Sequence, residues 1–514
     1  MSPTGAAVRA KGTRGLLAVV VVLGTAALGA AAPREAAAAE PLPTYGVSAL
    51  LPPQHWAVRA AARLDGVGLV TGWLPANQAA PMYMVWAALC EGARRAEAER
   101  PEMAALARGW KEKFQAEWRG IDETGTWRFT GGQASAGYRW DGVSPSPQEP
   151  PPQAWSLTPP QDSTPFVAAE AAGNLSDYLS LLVAPVATTW QVRWAGELVA
   201  GVGPVSISAG RAPGQTGFGA PGGSVVLGGD ALRDRLAFQI FRPVDIWIGL
   251  LTLDVSLASM KPPHHADGTL LWEWALQYQP VPRLTFALQS GIMMGGETYE
   301  QLTGQPFGFK DFLKTITYQG NGTENNVFSF SARWRLPTES WVPLTVYLDW
   351  GGDDNGGAWY QAPGMDVGFT IPSLPFAPEV SVGLEWSFFG EWCETQSGGA
   401  FCRSPGYPLN WYTHVYSWTA VEQPLGHRMG GNGRELFLYA AADLLDARLL
   451  IRGDVFLRDR FSKNLYAPYT GQGGGFDLEA TWRVGIGEVG LSGRFEAGGG
   501  WSAGGAGARA AVFF

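Results

Sequence analysis

Asp349-Trp350-Gly351-Gly352-Asp353-Asp354-Asn355-Gly356-Gly357-Ala358-Trp359-Tyr360 sets flat aromatic faces beside carboxylates and an amide in one glycine-rich stretch. That combination suits a sugar: the C–H face of a pyranose stacks on an aromatic ring while planar polar groups take up the hydroxyls. Trp350, Asp353, Asp354, Trp359 and Tyr360 are therefore candidate ligand-binding residues, and Trp386 with Trp392 forms a second group of the same kind. The plainer reading of each aromatic is a girdle residue at a membrane–water boundary. Asp353-Asp354-Asn355-Gly356 gathers oxygens that suit Ca²⁺. It lacks the full loop pattern and a closing bidentate Glu, so it reads as a solvated acidic turn, and no metal or cofactor is expected.

Catalytic patterns are missing. His264-His265, His414 and His427 are the notable histidines after His55, and neither Gly-x-Ser-x-Gly nor His-Glu-x-x-His occurs. The expectation is that the protein is not an enzyme. Arg211, Arg235 and Arg242, with Glu197 and Asp254, read instead as a charged network lining a lumen. Cys393 and Cys402 bracket a polar, glycine-bearing stretch with no His or further Cys nearby, which favours a disulfide at a loop tip over a metal site. Cys90, in an Ala-rich helical stretch, reads as a small buried apolar residue.

The elements that must position these residues are legible from the ends inward. Arg9, Lys11 and Arg14 precede the apolar run Leu16 to Leu28 and a small-residue stretch through Ala39. This is the pattern of a secretory signal peptide, spanning 1–39 if cleaved after Ala39, with Ala32 the alternative. The apolar run is too short to cross a bilayer comfortably. No later stretch is long and apolar enough for a transmembrane helix, so a membrane-spanning form must be a barrel. The other end, Gly507 to Phe514, alternates and finishes on an aromatic, as the closing strand of an outer-membrane barrel does.

Composition fits an all-β transmembrane barrel of about 14–18 antiparallel strands. With Gly 68, Trp 23, Tyr 15 and Phe 24 but only 16% charged residues, the chain has the glycine for turns and the aromatics for two girdles. The mean hydropathy of −0.03 suits alternating lipid- and lumen-facing positions. A formal net charge of −9 argues against nucleic acid as a partner. A soluble β-propeller would show a repeat of roughly 40–50 residues, and none is found.

Residues 40–122 are expected to form a small α-helical periplasmic domain, with helices opening near His55, Pro81 and Pro101. The barrel is expected over 123–514, with a Pro-rich loop at 143–165. Expected strands include 126–130, 136–140, 189–200, 205–211, 235–241, 247–257, 270–279, 283–291, 327–336, 344–350, 380–389, 411–418, 435–442, 448–458, 476–484, 488–496 and 503–514. Short turns alternate with long loops, as expected of two unlike barrel ends.

Three stretches resemble the capsule-assembly Wzi family of outer-membrane proteins. They are Gly210-Arg211-Ala212-Pro213-Gly214 through Gly222-Gly223-Ser224 to Asp230-Ala231; Phe309-Lys310-Asp311-Phe312-Leu313 with Val327 to Phe330; and Trp411-Tyr412 through Tyr416 to Pro424-Leu425-Gly426-His427. The resemblance covers most of 200–430, and it implies an outer-membrane barrel lectin that holds extracellular or capsular polysaccharide and catalyses nothing. Such a protein would meet outer-membrane lipid and would reach the barrel-assembly machinery through its C-terminal strand. The rival function on the same fold is a diffusion porin, which needs an open, water-filled lumen. His55 to Gly72 also resembles the start of an S-layer homology module, but Pro81 to Trp86 lacks the Arg and Glu of that motif and reads as a helix packed under the barrel.

Overall fold

Along Thr269–Val281, Leu270, Trp272, Trp274 and Leu276 are partly exposed on one face, while Leu271, Glu273, Ala275 and Gln277 are buried on the other. A sheet divided this way needs lipid outside and a filled interior, and its backbone has no free edge to spare, so it closes on itself. In the computed structural model it closes with eighteen antiparallel strands, at the top of the expected range. Residues 47–514 are described except 53–54, 75–78, 123–127, 145–163, 189–191, 213, 215–216, 221–222, 229–231, 262–264, 318–322, 354–363, 391–415, 421–422, 462–463 and 467–468. The expected signal peptide, most of the Pro-rich loop, and Asp354, Trp359, Tyr360, Trp392, Cys393 and Cys402 lie outside the described residues.

The first nine strands are β1 (Arg128–Ser144), β2 (Thr164–Ser176), β3 (Leu179–Thr188), β4 (Val192–Val202), β5 (Val205–Ala212), β6 (Arg233–Asp245), β7 (Leu250–Ser259), β8 (Thr269–Val281) and β9 (Leu284–Gly295). The other nine are β10 (Asn325–Arg335), β11 (Thr345–Asp353), β12 (Gly364–Ile371), β13 (Val380–Phe389), β14 (Gly433–Leu444), β15 (Leu449–Arg460), β16 (Gly471–Val484), β17 (Gly487–Gly498) and β18 (Trp501–Phe513). β18 pairs with β1 from Ser502↔Ser144 to Phe513↔Gln133. The last residue completes the seam: Phe514 N–H donates to Gly132 O at 3.0 Å, and Gly132 N–H to Phe514 O at 3.1 Å. The Phe514 ring stacks on outward-facing Phe129 at 5.8 Å. Gly132 leaves the room, since a Cβ there would lie 2.5 Å from Glu170 O and 3.1 Å from the Phe514 ring.

Several expectations needed correcting. The pieces at 126–130 and 136–140 belong to the single strand β1. β2, β3 and β12 were not expected: β2 is Ala-rich, and Pro185 inside β3 argues against a strand by propensity. The expected strand 247–257 begins three residues later, after the turn at Trp247 with φ 58°. Tyr416 to Trp418, the described end of the expected strand 411–418, lies in a loop buried inside the barrel rather than in its wall.

Five helices accompany the barrel among the described residues: α1 (Trp56–Gly66), α2 (Met82–Glu99), α3 (Pro101–Glu117), α4 (Gly296–Thr303) and α5 (Phe309–Ile316). α1 to α3 share an apolar core of Ala57, Leu64, Trp73, Trp86, Trp110 and Phe114. This unit sits at the barrel end with the short turns. Arg63 of α1 donates to Pro372 O at 2.9 Å and Pro378 O at 3.0 Å, in the turn between β12 and β13, and pairs with Asp443 of β14. Arg333 of β10 reaches Asp65 at 2.6 Å, and Arg483 of β16 donates to Lys113 O at 2.9 Å.

Candidate functional site

Two connections from the long-loop end turn inward instead of outward. The segment between β5 and β6 carries Val225, Val226 and Leu227, fully buried against the inward side chains Leu271, Met293 and Val327. It is held by backbone groups meeting wall carboxylates: Val225 N–H donates to Asp349 at 2.9 Å, and Ala220 N–H to Glu385 at 2.7 Å. The segment between β13 and β14 lies over it. Trp418 is fully buried and donates its indole N–H to Val226 O at 2.8 Å, while Gly228 N–H donates to Leu425 O at 2.9 Å. Two of the stretches that carried the family resemblance thus lock together in the lumen.

Beneath them lies a buried charged cluster. Arg428 reaches Glu385 and Glu435 at 2.6 Å each, with its guanidinium 3.7 Å from the centroid of the Phe437 ring. Burial works against the Arg428 charge, but Glu435 and Glu385 hold its pKa above the ordinary value. His427 is fully buried beside Ser387 at 3.1 Å, Asp366 at 3.4 Å and Glu385 at 3.8 Å. Burial, then the Arg428 charge, pushes its pKa down.

Asp366, Glu385 and His427 together have the makings of a metal-ligand trio. The imidazole argues otherwise. Its Nδ1 accepts the Met429 N–H at 3.1 Å, which assigns the proton to Nε2 and aims a donor, not a lone pair, at the carboxylates. The cluster is built to anchor two loops to β12, β13 and β14. Ser387 lies 3.1 Å from His427, but the ring turns its Nε2–H rather than a lone pair toward that hydroxyl, so the pair holds no activated nucleophile.

The residues singled out from sequence fall into three groups. Trp350 and Trp386 are on the outward face of β11 and β13, Trp386 stacked with Phe388 at 6.2 Å, so these two occupy girdle positions. Asp353 is buried at the end of β11. Arg235 meets Glu197 at 3.0 Å in the lumen, beside Arg233–Glu273 at 2.8 Å. Arg211 borders a small cavity with Glu197 and Arg235, whereas Arg242 lies within the bulge toward the far end of β6, against Phe241. Glu385, Asp349, Asp366 and Arg428 were not singled out. The signal was present in Val380 to Phe389, where Glu385 is a lone charge in the inward register between Leu384 and Trp386.

A closed β-barrel with helices across one end and two inward loops across the other is a plugged barrel of the outer-membrane type. Residues 239–487, just under half of the chain, match the family model described as capsule assembly protein Wzi. The match includes the second and third of the resembling stretches and begins after the first. Among solved structures the chain is similar to Wzi of Escherichia coli, with 14% identity over 90% of this chain and 99% of that one and a TM-score of 0.68. That protein is described as an outer-membrane, carbohydrate-binding β-barrel involved in group 1 capsule assembly. Looser likenesses are OpdL of Pseudomonas aeruginosa (9% identity, 76% of this chain, 98% of that one, TM-score 0.43) and OccK11 of the same organism (8%, 76%, 98%, 0.45). No curated protein matches the chain in sequence.

Proposed function

We propose that this protein is an outer-membrane barrel that holds a surface polysaccharide at its outer rim and helps assemble or retain the capsule, neither catalysing a reaction nor conducting solutes. The observation that carries the reading is the obstructed lumen: α1 to α3 cover the short-turn end, and the segments around Val226 and Trp418 fill the β6–β14 side of the interior from the other. A diffusion porin needs an open eyelet where these side chains stand. The family match and the description of E. coli Wzi as carbohydrate-binding support the same reading.

By the usual orientation of such barrels, the short turns face the periplasm and the long loops face outward. The connection from β11 to β12 would then present Asp354, Trp359 and Tyr360 to the glycan, and the connection from β13 to β14 would present Trp392, braced by a Cys393–Cys402 disulfide. Trp350 and Trp386 serve the lipid boundary. The seam strand β18, followed by the final Phe514, is the segment offered to the barrel-assembly machinery.

Single-channel recording of the refolded protein, paired with pull-down of surface polysaccharide, tests the proposal. Electrical silence with positive pull-down is expected. Stable open steps without glycan retention would make the protein a porin. Replacing Trp359 and Tyr360 with Ala should cut glycan retention by about tenfold, since each stacked aromatic contributes about 0.5–1.5 kcal/mol. Undiminished retention would remove that connection from the site.

A further inference from the structure

The barrel wall contains a place where outward-facing residues are not exposed. On β9 the lumen takes Gln289, Gly291 and Met293, so Ser290, Ile292 and Met294 point outward, opposite Trp274, Trp272 and Leu270 of β8. Ile292 and Met294 are nevertheless only 1% exposed, and Ser290 is fully buried, bonded to Asn326 of β10 at 3.1 Å. Something covers this part of the outer wall. It is α5, which packs against β9 and sets Phe312 edge-on to outward-facing Trp272 at 5.8 Å.

Helix α5, Phe309-Lys310-Asp311-Phe312-Leu313-Lys314-Thr315-Ile316, has its apolar residues at i, i+3, i+4 and i+7. At about 100° per residue, Thr315 and Phe312 face the wall. Ile316, Phe309 and Leu313 form the adjoining face, where Phe309 is 76% and Leu313 43% exposed. Lys310 and Lys314 project from the side away from the barrel, and both are exposed. Asp311 is already engaged at the helix start, accepting Gly308 N–H at 3.2 Å. The exposed apolar face continues the lipid-facing belt through Phe312 and Trp272, and the lysines border it.

We propose that α5 is a lateral lipid-binding site in the outer leaflet. An acyl chain lies along Phe309, Leu313 and Ile316, and Lys310 and Lys314 hold the lipid's headgroup phosphate. Helices that lie in the interface divide in this manner, with lysines lifting toward phosphates above a buried apolar face. The proposal needs the barrel in a bilayer but not the polysaccharide role, so failure of one leaves the other standing.

The test is native mass spectrometry of the full chain released from phosphatidylcholine nanodiscs doped with phosphatidic acid or, in parallel, with diacylglycerol of the same chains. Retention of phosphatidic acid over diacylglycerol is expected, falling about fivefold for each of K310Q and K314Q. F309S/L313S should reduce retention of both lipids. Heat-modifiable mobility reports that each variant still forms the barrel. Equal retention by wild type and K310Q/K314Q would overturn the proposal. So would displacement of the lipid preference by inorganic phosphate alone, which would mark a free-anion site rather than a lipid site.

Discussion

Between β6 and β14 the lumen is packed by returning loops, whereas between β15 and β2 it stays hollow. In the packed sector Val225, Val226, Trp418 and Leu425 are at most 1% exposed. In the hollow sector a cavity of about 380 Å³ is lined by Arg139, Glu170, Arg452, Asp454, Asp477 and Arg494. The inward positions there include Gly490, Gly505 and Gly507, which leave space that larger side chains would fill. Asp454 stands directly opposite Asp477, whose other cross-strand neighbour is Arg494. Carboxylates in that register repel unless water and neighbouring cations screen them, so a wet cavity suits them. The outer faces do not differ: Leu236 and Phe238 on one side and Leu478 and Leu491 on the other are all exposed and apolar. Lipid imposes one rule on the outside, while the inside is free to be a core or a cavity.

The contrast breaks most sharply at Arg428. Arg428→Ala would leave Glu385 and Glu435 buried without their shared cation, a loss of about 3–5 kcal/mol. The expected outcome is release of the segments around Val226 and Trp418, seen as fast amide exchange there and as new conductance steps, with the barrel still heat-modifiable. A silent, fully protected variant would show that the apolar contacts alone hold the loops.

How much of this was legible beforehand follows from the same division. The outward face has one solvent and one rule, so β8 and β13 could be read from alternation almost to the residue, while β9 runs four residues beyond its expected end at Gly291. The seam at Phe514 was legible because its pattern is local. β3 was missed because Pro185 and a run of Leu, Val and Ala imitate a non-strand, and only pairing with β4 decides it. The anchoring cluster was missed for a longer-range reason. Glu385 and Arg428 are 43 residues apart, and nothing local says that the connection between them turns inward. Of the proposed glycan residues, sequence could supply the chemistry but not the facing: Trp350 and Trp386 stand on the lipid side.

Glycine sharpens the comparison at lower cost. In the packed sector a Cβ on Gly219 would lie 1.9 Å from Gly223 O and 2.8 Å from Glu385. Gly219→Ala must therefore displace backbone, at about 1–3 kcal/mol. In the hollow sector a Cβ on Gly507 would meet the movable Ser492 hydroxyl at 2.8 Å and otherwise only Tyr138 O at 3.7 Å. Gly507→Ala should change stability by no more than ~0.5 kcal/mol. Urea titration of the two variants checks the pair, and similar midpoints would erase the distinction between the sectors.

The smallest effect tests where the hollow sector meets the helices. His55 and Glu117 both line the cavity, with Lys113, Glu488 and Arg509 around them. Burial raises the Glu117 carboxyl from 4.5 to about 7, with Lys113 pulling the other way. Burial, then Lys113, lowers His55 from 6.5 to about 3. A raised carboxyl contributes stability that is full below 4.5 and lost as pH rises through about 7. A lowered imidazole contributes stability that is full above 6.5 and lost as pH falls toward 3. Between pH 4.5 and 6.5 the two slopes oppose each other. Glu117→Gln removes one, so protection of the α1 amides should fall by about 1 kcal/mol as pH drops from 6.5 to 5.5, where the parent protein stays nearly flat. Hydrogen exchange is the right readout, because the barrel wall outlasts local opening of α1 and a melting temperature would miss it. An unchanged pH profile in Glu117→Gln would mean the carboxyl does not titrate in this window. The junction would then behave as part of the packed sector rather than the wet one.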